Sequence, residues 1–147
     1  VTLTSRRAAS AEAAAADVRE ILGAEVRAAA APLESDLLAL AAESDLILAT
    51  GAAGVRLLSR RGLETLKGAK VIADVNAVPP HGIEGLKPQD AAAEIAPGIL
   101  GLGAMAVGDL KFKVEASLLR DLLTAETPPV IDSRAARERA EQILAAR

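Results

Sequence analysis

Short, continuous apolar runs that alternate with helical patterns restrict the fold of this chain most strongly. Residues 46–49 and 71–75 form two such runs, and residues 99–102 are a third candidate. The first run is apolar at every position and the second is interrupted only by Asp74, and such nearly continuous apolar runs are typical of parallel strands covered on both faces. Strands that alternate with helices indicate an α/β layer fold. We therefore predict a Rossmann-like, doubly wound parallel sheet.

The remaining pattern supplies further elements. Residues 1–4 include β-branched side chains and are strand-like, and residues 11–22 carry helical spacing that ends at Gly23. Residues 24–30 are a weak strand, Pro32 can open a helix, and residues 55–59 are predicted to be helical. A long helix is expected from Asp109, and Asp132 can cap a last one. Residues 76–97, rich in Pro and Gly, are expected to be irregular.

Bulk composition excludes several function classes. The 147 residues fit one domain, and a net charge of -3 does not favour nucleic-acid binding. The chain has no cysteine, so disulfides and thiolate metal sites are excluded. No apolar run reaches the length of a membrane span. We expect a cytoplasmic protein with no nucleic-acid or membrane partner.

The end of the first strand is the first place that indicates chemistry. Ligands of open α/β sheets lie beyond the carboxyl ends of the strands. An acid there binds the ribose 2′-hydroxyl of NAD, whereas an arginine accommodates the 2′-phosphate of NADP. This chain has Ser5, Arg6 and Arg7 at that place. The pattern favours NADP, with a solvated basic turn as the alternative.

Two further strand ends carry candidate residues. The run at 46–49 is followed by the small residues Thr50, Gly51 and Ala52, which allow a ligand close to the backbone. The alternative is an ordinary tight turn. The run at 71–75 is followed by Asn76, whose amide both donates and accepts, and by a loop that Pro79 stiffens. The alternative there is a rigid connector.

These segments, taken together, resemble a known family. Residues 50–54, 74–80, 82–85 and 98–103, followed by the helix start at 108–113, occur in the order found in bacterial methylene-tetrahydromethanopterin dehydrogenases. The similarity runs from Val1 to about Thr124, and the loop from Asn76 to Gly85 is its most specific part. It implies a partial NADP-binding Rossmann domain at residues 1–125 and a C-terminal helix at 126–147 that packs towards an N-terminal domain.

The resemblance also implies roles for the candidate residues. Ser5, Arg6 and Arg7 would meet the adenosine 2′-phosphate, Thr50, Gly51 and Ala52 would line the cofactor, and Asn76 and Pro79 would face the nicotinamide. The implied reaction transfers a hydride from a reduced pterin to NADP, with NAD use left open, and needs no general acid, base or metal. His81 is interpreted as a surface residue. A homo-oligomer is a further implication.

Alternative functions remain open from the sequence. A methylene-tetrahydrofolate or shikimate-type NADP dehydrogenase would share the first two strand ends, and a non-catalytic fragment or interaction domain would share the fold alone. The glycine-rich pyrophosphate turn and the strand before it are missing from the pattern, and the chain opens within a strand, so we expect a truncated start. In the strand order 3-2-1-4-5-6 the missing strand is central. We therefore expect a gap between the strands at 1–4 and 46–49, or a non-standard pairing, and no tight NADP binding by this chain alone.

Overall fold

Strands and helices alternate through most of the chain in the computed structural model, which describes residues 1–146. The strands are β1 (Thr2–Ser5), β2 (Arg27–Ala30), β3 (Leu46–Ala49), β4 (Lys70–Asp74), β5 (Ala91–Ala96) and β6 (Ile99–Leu102). The helices are α1 (Ala8–Leu22), α2 (Glu34–Ala42), α3 (Arg60–Thr65), α4 (Ala104–Thr124) and α5 (Ser133–Ala145).

The strands form two sheets. β1 pairs with β2 in parallel, and the second sheet has the order β3-β4-β6-β5, parallel except for the β5–β6 pair. This mixed α/β architecture with helical crossovers confirms the predicted Rossmann-like class. β1 and β3 are not paired with each other within residues 1–146. Of the two arrangements expected for these strands, the structure therefore has the one in which they do not pair.

Two helix ends follow the sequence signals. Gly23 ends α1 with a φ of 61°, a left-handed conformation that glycine adopts without strain, and its N–H donates to the Arg19 carbonyl. The Asp132 carboxylate accepts from the Ala135 N–H at 2.9 Å and caps α5. Pro32, in contrast, is not the first helical residue, because α2 begins at Glu34 after an extended Leu33.

The predicted helix at residues 55–59 is wrong. α3 begins only at Arg60, behind Ser59, whose Oγ accepts from the Gly62 N–H at 3.0 Å. The preceding backbone pairs with a distant loop instead of closing helical turns. The N–H groups of Leu57 and Leu58 both donate to the Gly82 carbonyl. A tertiary pairing thus overrides the local pattern.

Two other expectations need correction. Residues 76–97 are not irregular throughout, since β5 forms an antiparallel hairpin with β6 around Gly98, whose φ is 75°. The long helix begins at Ala104 and not at Asp109. The sequence signal for both elements is weak. The alanines of β5 have little strand propensity, and pairing with β6 holds them in the strand.

The main core lies on one face of the larger sheet. Its fully buried side chains are Leu63 of α3, Ile72 of β4, Ile83 and Ile99 of β6. The smaller sheet has a separate contact, in which Ala11 and Ala15 of α1 are buried against β1 and β2. Small side chains let this helix approach its strands closely.

A buried lysine joins the sheet to α2. Lys70, at the start of β4, is only 6% exposed. Its Nζ donates to the carbonyls of Ala42, the last residue of α2, at 3.1 Å and of Ser44, just beyond the helix, at 2.7 Å. A cation at a helix C-terminus satisfies carbonyls that the helix leaves unpaired. Lys70 therefore fixes where β4 meets α2.

The last two helices form a hairpin. α5 packs against α4, and Arg139 holds the pair together. Its guanidinium donates to the Asp121 carboxylate at 2.6 Å and also to the Ser117 hydroxyl. The C-terminal helix is thus attached to residues of the same chain through a half-buried ion pair.

Candidate functional site

The candidate site lies where the helices change from one face of the sheet to the other. Crossovers between parallel strands are right-handed. The chain leaves β1 through α1 in the direction away from the gap, and it leaves β3 through α3 in the opposite direction, also away from the gap. The two helices therefore cover opposite faces. Such a change of face is a topological switch point, and ligands of open α/β sheets bind there, beyond the carboxyl ends of the strands.

A cavity of about 420 Å³ opens at this point. It contains five of the eight cofactor-binding residues predicted from the sequence. They come from the ends of β1 and β3 on the two sides of the gap: Ser5, Arg6, Thr50, Gly51 and Ala52. The arrangement brings a hydroxyl, a guanidinium and a turn of small residues to one concave surface.

Arg6 is the residue best placed to bind an anion. Among the described residues, its guanidinium makes no hydrogen bond or ion pair, although it lines the cavity. The neighbouring Ser5 carbonyl accepts from the Ala31 N–H at 2.8 Å, and the Ser5 hydroxyl makes no hydrogen bond to the described residues. A free guanidinium beside a hydroxyl matches the donors that a phosphate group requires.

Arg7 does not line the cavity. It is the exposed residue before α1, and its carbonyl accepts from the N–H groups of Ser10 and Ala11. Its position one residue beyond Arg6 places it at the helix start instead of at the strand end. The structure therefore separates two arginines that the sequence analysis grouped together.

Arg56 is a lining residue that the sequence analysis missed. It lies in the segment first expected to be helical, and its Nη1 is 3.4 Å from Glu84 Oε2. The same cavity holds one acid, Glu34, whose Oε1 accepts from the Ser59 N–H at 2.6 Å. Hydrogen bonds from the Ser59 side chain and backbone, aided by the charge of Arg56, hold the pKa of Glu34 below its ordinary value against the opposing effect of desolvation. The acid is thus ionised and engaged with Ser59, on a surface with two guanidinium groups.

The turn after β3 differs from the expected strand–helix turn. A Cβ at Gly51 would lie 3.1 Å from the Leu57 side chain, and Gly54 has a φ of 73°. The left-handed backbone at Gly54 therefore favours glycine, whereas a side chain at Gly51 would need the Leu57 side chain to shift by a few tenths of an ångström. Because α3 begins several residues later, no helix N-terminus points its amides at this turn. Any anion here would depend on side chains and turn amides.

The loop after β4 is held by Asp74, a carboxylate that is 2% exposed. Its two oxygens accept from the N–H groups of Asn76 at 2.9 Å and Ile83 at 3.1 Å, which closes the loop at both ends. Asp74 therefore binds backbone. Glu84 does the same, since its Oε2 accepts from the Arg60 N–H at 3.0 Å.

Asn76 and Pro79 lie on this loop and outside the lining of the cavity. The Asn76 Oδ1 accepts from the Val78 N–H at 2.9 Å, while its Nδ2 is buried and has no protein partner among the described residues. The Pro79 carbonyl comes within 3.8 Å of the position that a Cβ would take on Gly54. The loop thus adjoins the Thr50 turn without entering the cavity.

His81 is not the surface residue that was expected. It is only partly exposed, and its Nδ1 is buried without a partner among the described residues. Within residues 1–146, no group of three His, Asp or Glu side chains could hold a metal ion. Over the same residues, no helix is both long and apolar enough to cross a bilayer.

The switch point, the crossovers and the cavity at the strand ends define a Rossmann-like α/β protein. No family model matches the chain. It is similar to the NAD(P)-dependent methylenetetrahydromethanopterin dehydrogenase of Methylorubrum extorquens, with 37% identity over 102 residues, or 69% of this chain and 34% of that protein. It is also 29% identical over 122 residues to the bifunctional protein MdtA of the same organism, which is 83% of this chain and 42% of that relative. The chain therefore spans well under half the length of the curated relatives it matches.

Proposed function

We propose that this chain forms the adenosine side of an NADP site in an oxidoreductase that converts methylene-tetrahydromethanopterin to the methenyl form. The observation that carries the proposal is the unpartnered Arg6 guanidinium beside the Ser5 hydroxyl, in a cavity at the switch point. The similarity to an NAD(P)-dependent dehydrogenase supports the nicotinamide cofactor and the pterin substrate. In this proposal residues 1–125 belong to the cofactor domain, and residues 126–147 face a substrate domain.

The residues present fit the adenosine end of NADP. Arg6 and Arg56 would neutralise a 2′-phosphate, and the Ser5 hydroxyl would donate to one of its oxygens. Glu34 stays ionised in the same cavity, so the two guanidinium groups would have to offset its charge as well as that of the phosphate. The backbone at Thr50 and Gly51 would contact the ribose closely, since no Cβ at Gly51 stands in the way.

The bound cofactor would supply the hydride acceptor, so the protein has mainly to position the reactants. The buried Nδ2 of Asn76 is a donor without a protein acceptor in residues 1–146, which fits an amide or pterin oxygen. The Asp74 carboxylate would orient Asn76 through the backbone N–H bond at 2.9 Å. No proton transfer by a side chain is required by this chemistry.

The chain offers a matched pair of variants to test cofactor choice. Nuclear magnetic resonance titration of the 147-residue chain with 2′,5′-ADP and with 5′-ADP measures weak binding of the adenosine end. Arg6→Ala should weaken 2′,5′-ADP on the order of tenfold or more, since a charged hydrogen bond is worth about 1.5–3 kcal/mol. It should leave 5′-ADP unchanged, and Arg7→Ala should change neither. Equal losses for both nucleotides, or equal effects of both arginines, would contradict the assignment.

A second experiment tests the reaction itself. Asn76→Ala should slow hydride transfer from the methylene pterin while leaving 2′,5′-ADP binding intact. The assay follows NADPH formation with tetrahydromethanopterin and tetrahydrofolate substrates, in a polypeptide that also carries the substrate domain. Turnover at the unmodified rate would show that Asn76 only shapes the loop.

A further inference from the structure

One face of α4 carries large apolar side chains that are open to solvent. They form a row, which we call the α4 row, of Met105, Phe112, Leu119 and Leu123, and each is between 58% and 87% exposed. Phe112 is the only aromatic residue of the chain, and Met105 is its only methionine. Single exposed apolar residues are ordinary, whereas several in one continuous patch mark an interaction surface.

The row lies on the side of α4 opposite to the contacts that this helix makes within residues 1–146. α4 packs against α5 and β4. Val114 is 8% exposed, and Ser117 and Asp121 accept hydrogen bonds from Arg139 of α5. With 3.6 residues in each turn, Val114 and Asp121 lie about half a turn from Phe112. α5 therefore covers the other side of the helix and leaves the row exposed.

The spacing of the row is that of a seam between paired helices. Met105, Phe112 and Leu119 are seven residues apart, which is close to two turns, and Leu123 follows four residues later. Ala116 occupies the position between Phe112 and Leu119. Apolar residues at alternating steps of three and four give two helices a continuous line of contact. α4 has 21 residues, so this line runs along about 30 Å.

The charges beside the row indicate which partner fits it. Glu115 lies along one edge of the row, and Lys113 and Arg120 lie along the other. In a parallel pair of identical helices each edge faces the opposite edge of the other copy, so that Glu115 lies beside Arg120, and symmetry makes this contact twice. In an antiparallel pair like edges meet, and Lys113 would face Lys113 of the other copy. The charge pattern therefore favours a second copy in the parallel direction.

One position of the seam is polar. Asp109 lies between Met105 and Phe112, and its Oδ2 accepts from Lys113 Nζ at 2.6 Å. A polar residue in such a seam fixes the register of the helices and lowers the stability of the pair. The apolar contact is therefore strongest from Phe112 to Leu123. Because one pair of helices buries a small area, we expect a dissociation constant on the order of 10 μM.

We propose that the α4 row is a self-association surface, through which two copies of this chain pair their α4 helices in parallel about a twofold axis. Phe112 and Leu119 of one copy pack against the same residues of the other, and Glu115 pairs with Arg120 across the seam. No residue of α4 lines the cavity at Ser5 and Arg6, so the proposal goes beyond the proposed function and does not depend on it.

Sedimentation velocity of the 147-residue chain, from micromolar to millimolar concentration, tests the proposal. The 15.0 kDa chain should show a monomer–dimer equilibrium. Phe112→Asp should weaken the dimer on the order of tenfold or more, because a charge buried without a partner is unfavourable. Ile21→Asp is the matched control, since Ile21 is 72% exposed on α1 and should not affect association. Circular dichroism checks that both variants fold.

Crosslinking tests the direction of the helices. The chain has no cysteine, so Leu119→Cys supplies a single thiol. In the parallel pair the two copies of position 119 face each other, within the Cα separation of about 4.4–6.8 Å that a disulfide needs. Mild oxidation should therefore give a covalent dimer, whereas Ile21→Cys should stay monomeric. In an antiparallel pair position 119 would face Asp109 instead and would not crosslink.

Three results would overturn the proposal. They are a chain that remains monomeric at millimolar concentration, equal association of the Phe112→Asp and Ile21→Asp variants, and a dimer that Leu119→Cys does not crosslink. Titration with 2′,5′-ADP separates this proposal from the proposed function. Phe112→Asp should bind the nucleotide as the unmodified chain does, and a dimer that binds no nucleotide would contradict only the cofactor assignment.

Discussion

Replacing Asp74 by alanine should destabilise the protein strongly, because this carboxylate closes the loop that carries Asn76. It is 2% exposed and accepts from the N–H groups of Asn76 and Ile83. A buried N–H left without an acceptor costs about 1–3 kcal/mol, so two would cost about 2–6 kcal/mol. We expect a loss of about 3 kcal/mol, since water can reach the end at Asn76. The melting temperature should fall by roughly 6–12 °C.

Urea unfolding followed by circular dichroism measures this loss, and Asp90→Ala is the matched control. Asp90 also accepts from a backbone N–H three residues away, that of Lys87 at 2.8 Å, but in an exposed turn. Its replacement should cost less than about 1 kcal/mol. Asp74→Asn keeps one acceptor and should fall between the two. A loss at Asp74 no larger than the loss at Asp90 would refute the argument that burial makes this carboxylate essential.

Three further perturbations have outcomes that the structure predicts. Lys70→Met should lower the free energy of unfolding by about 1–3 kcal/mol in urea titration, because it leaves two carbonyls at the C-terminal end of α2 without their donor; an unchanged midpoint would contradict this. Gly103→Ala should destabilise by on the order of 3 kcal/mol, since its Cβ would overlap backbone carbonyls, whereas Gly108→Ala, in open space within α4, should stabilise by about 0.5–1 kcal/mol. The same sign for both would refute the packing argument. Because the pKa of Glu34 is lowered, its contribution to the free energy of unfolding is present above pH 4.5, its ordinary pKa, and is lost as the pH falls through the lowered value. Glu34→Gln should therefore flatten the acid side of the curve of unfolding free energy against pH.

The fold could be predicted because its strongest signals are local. The apolar runs at 46–49 and 71–75 are strands, and Gly23 and Asp132 end or begin helices as their chemistry requires. The segment 55–59 could not be predicted, because its conformation is fixed by hydrogen bonds to Gly82, a residue far along the chain. The alanine-rich β5 was missed for the same reason, since only its pairing with β6 defines it.

The candidate site was predictable where it depends on strand ends. Ser5 ends β1, Arg6 follows it and Thr50 follows β3, and parallel strands bring such positions to one edge. Arg56 had no such signal, because it enters the cavity through an irregular segment. Arg7 carried the same signal as Arg6, but the helix start at Ala8 turns it away. The two adjacent arginines thus lie in different places because the backbone changes direction between them, and composition does not encode that change.

The separation of the two sheets has a consequence for how the molecule opens. Residues 1–31 form a unit of β1, α1 and β2 whose buried side chains are three alanines and Val26, while the larger apolar side chains are concentrated in the other sheet. Regions with little buried apolar surface open more readily than the rest of a protein. The amides of β1 and β2 should therefore exchange with solvent faster than those of β4, in a separate cooperative step. A ligand that contacts Arg6 on one unit and Thr50 on the other would bind only when both are folded, and so would slow exchange in the two together.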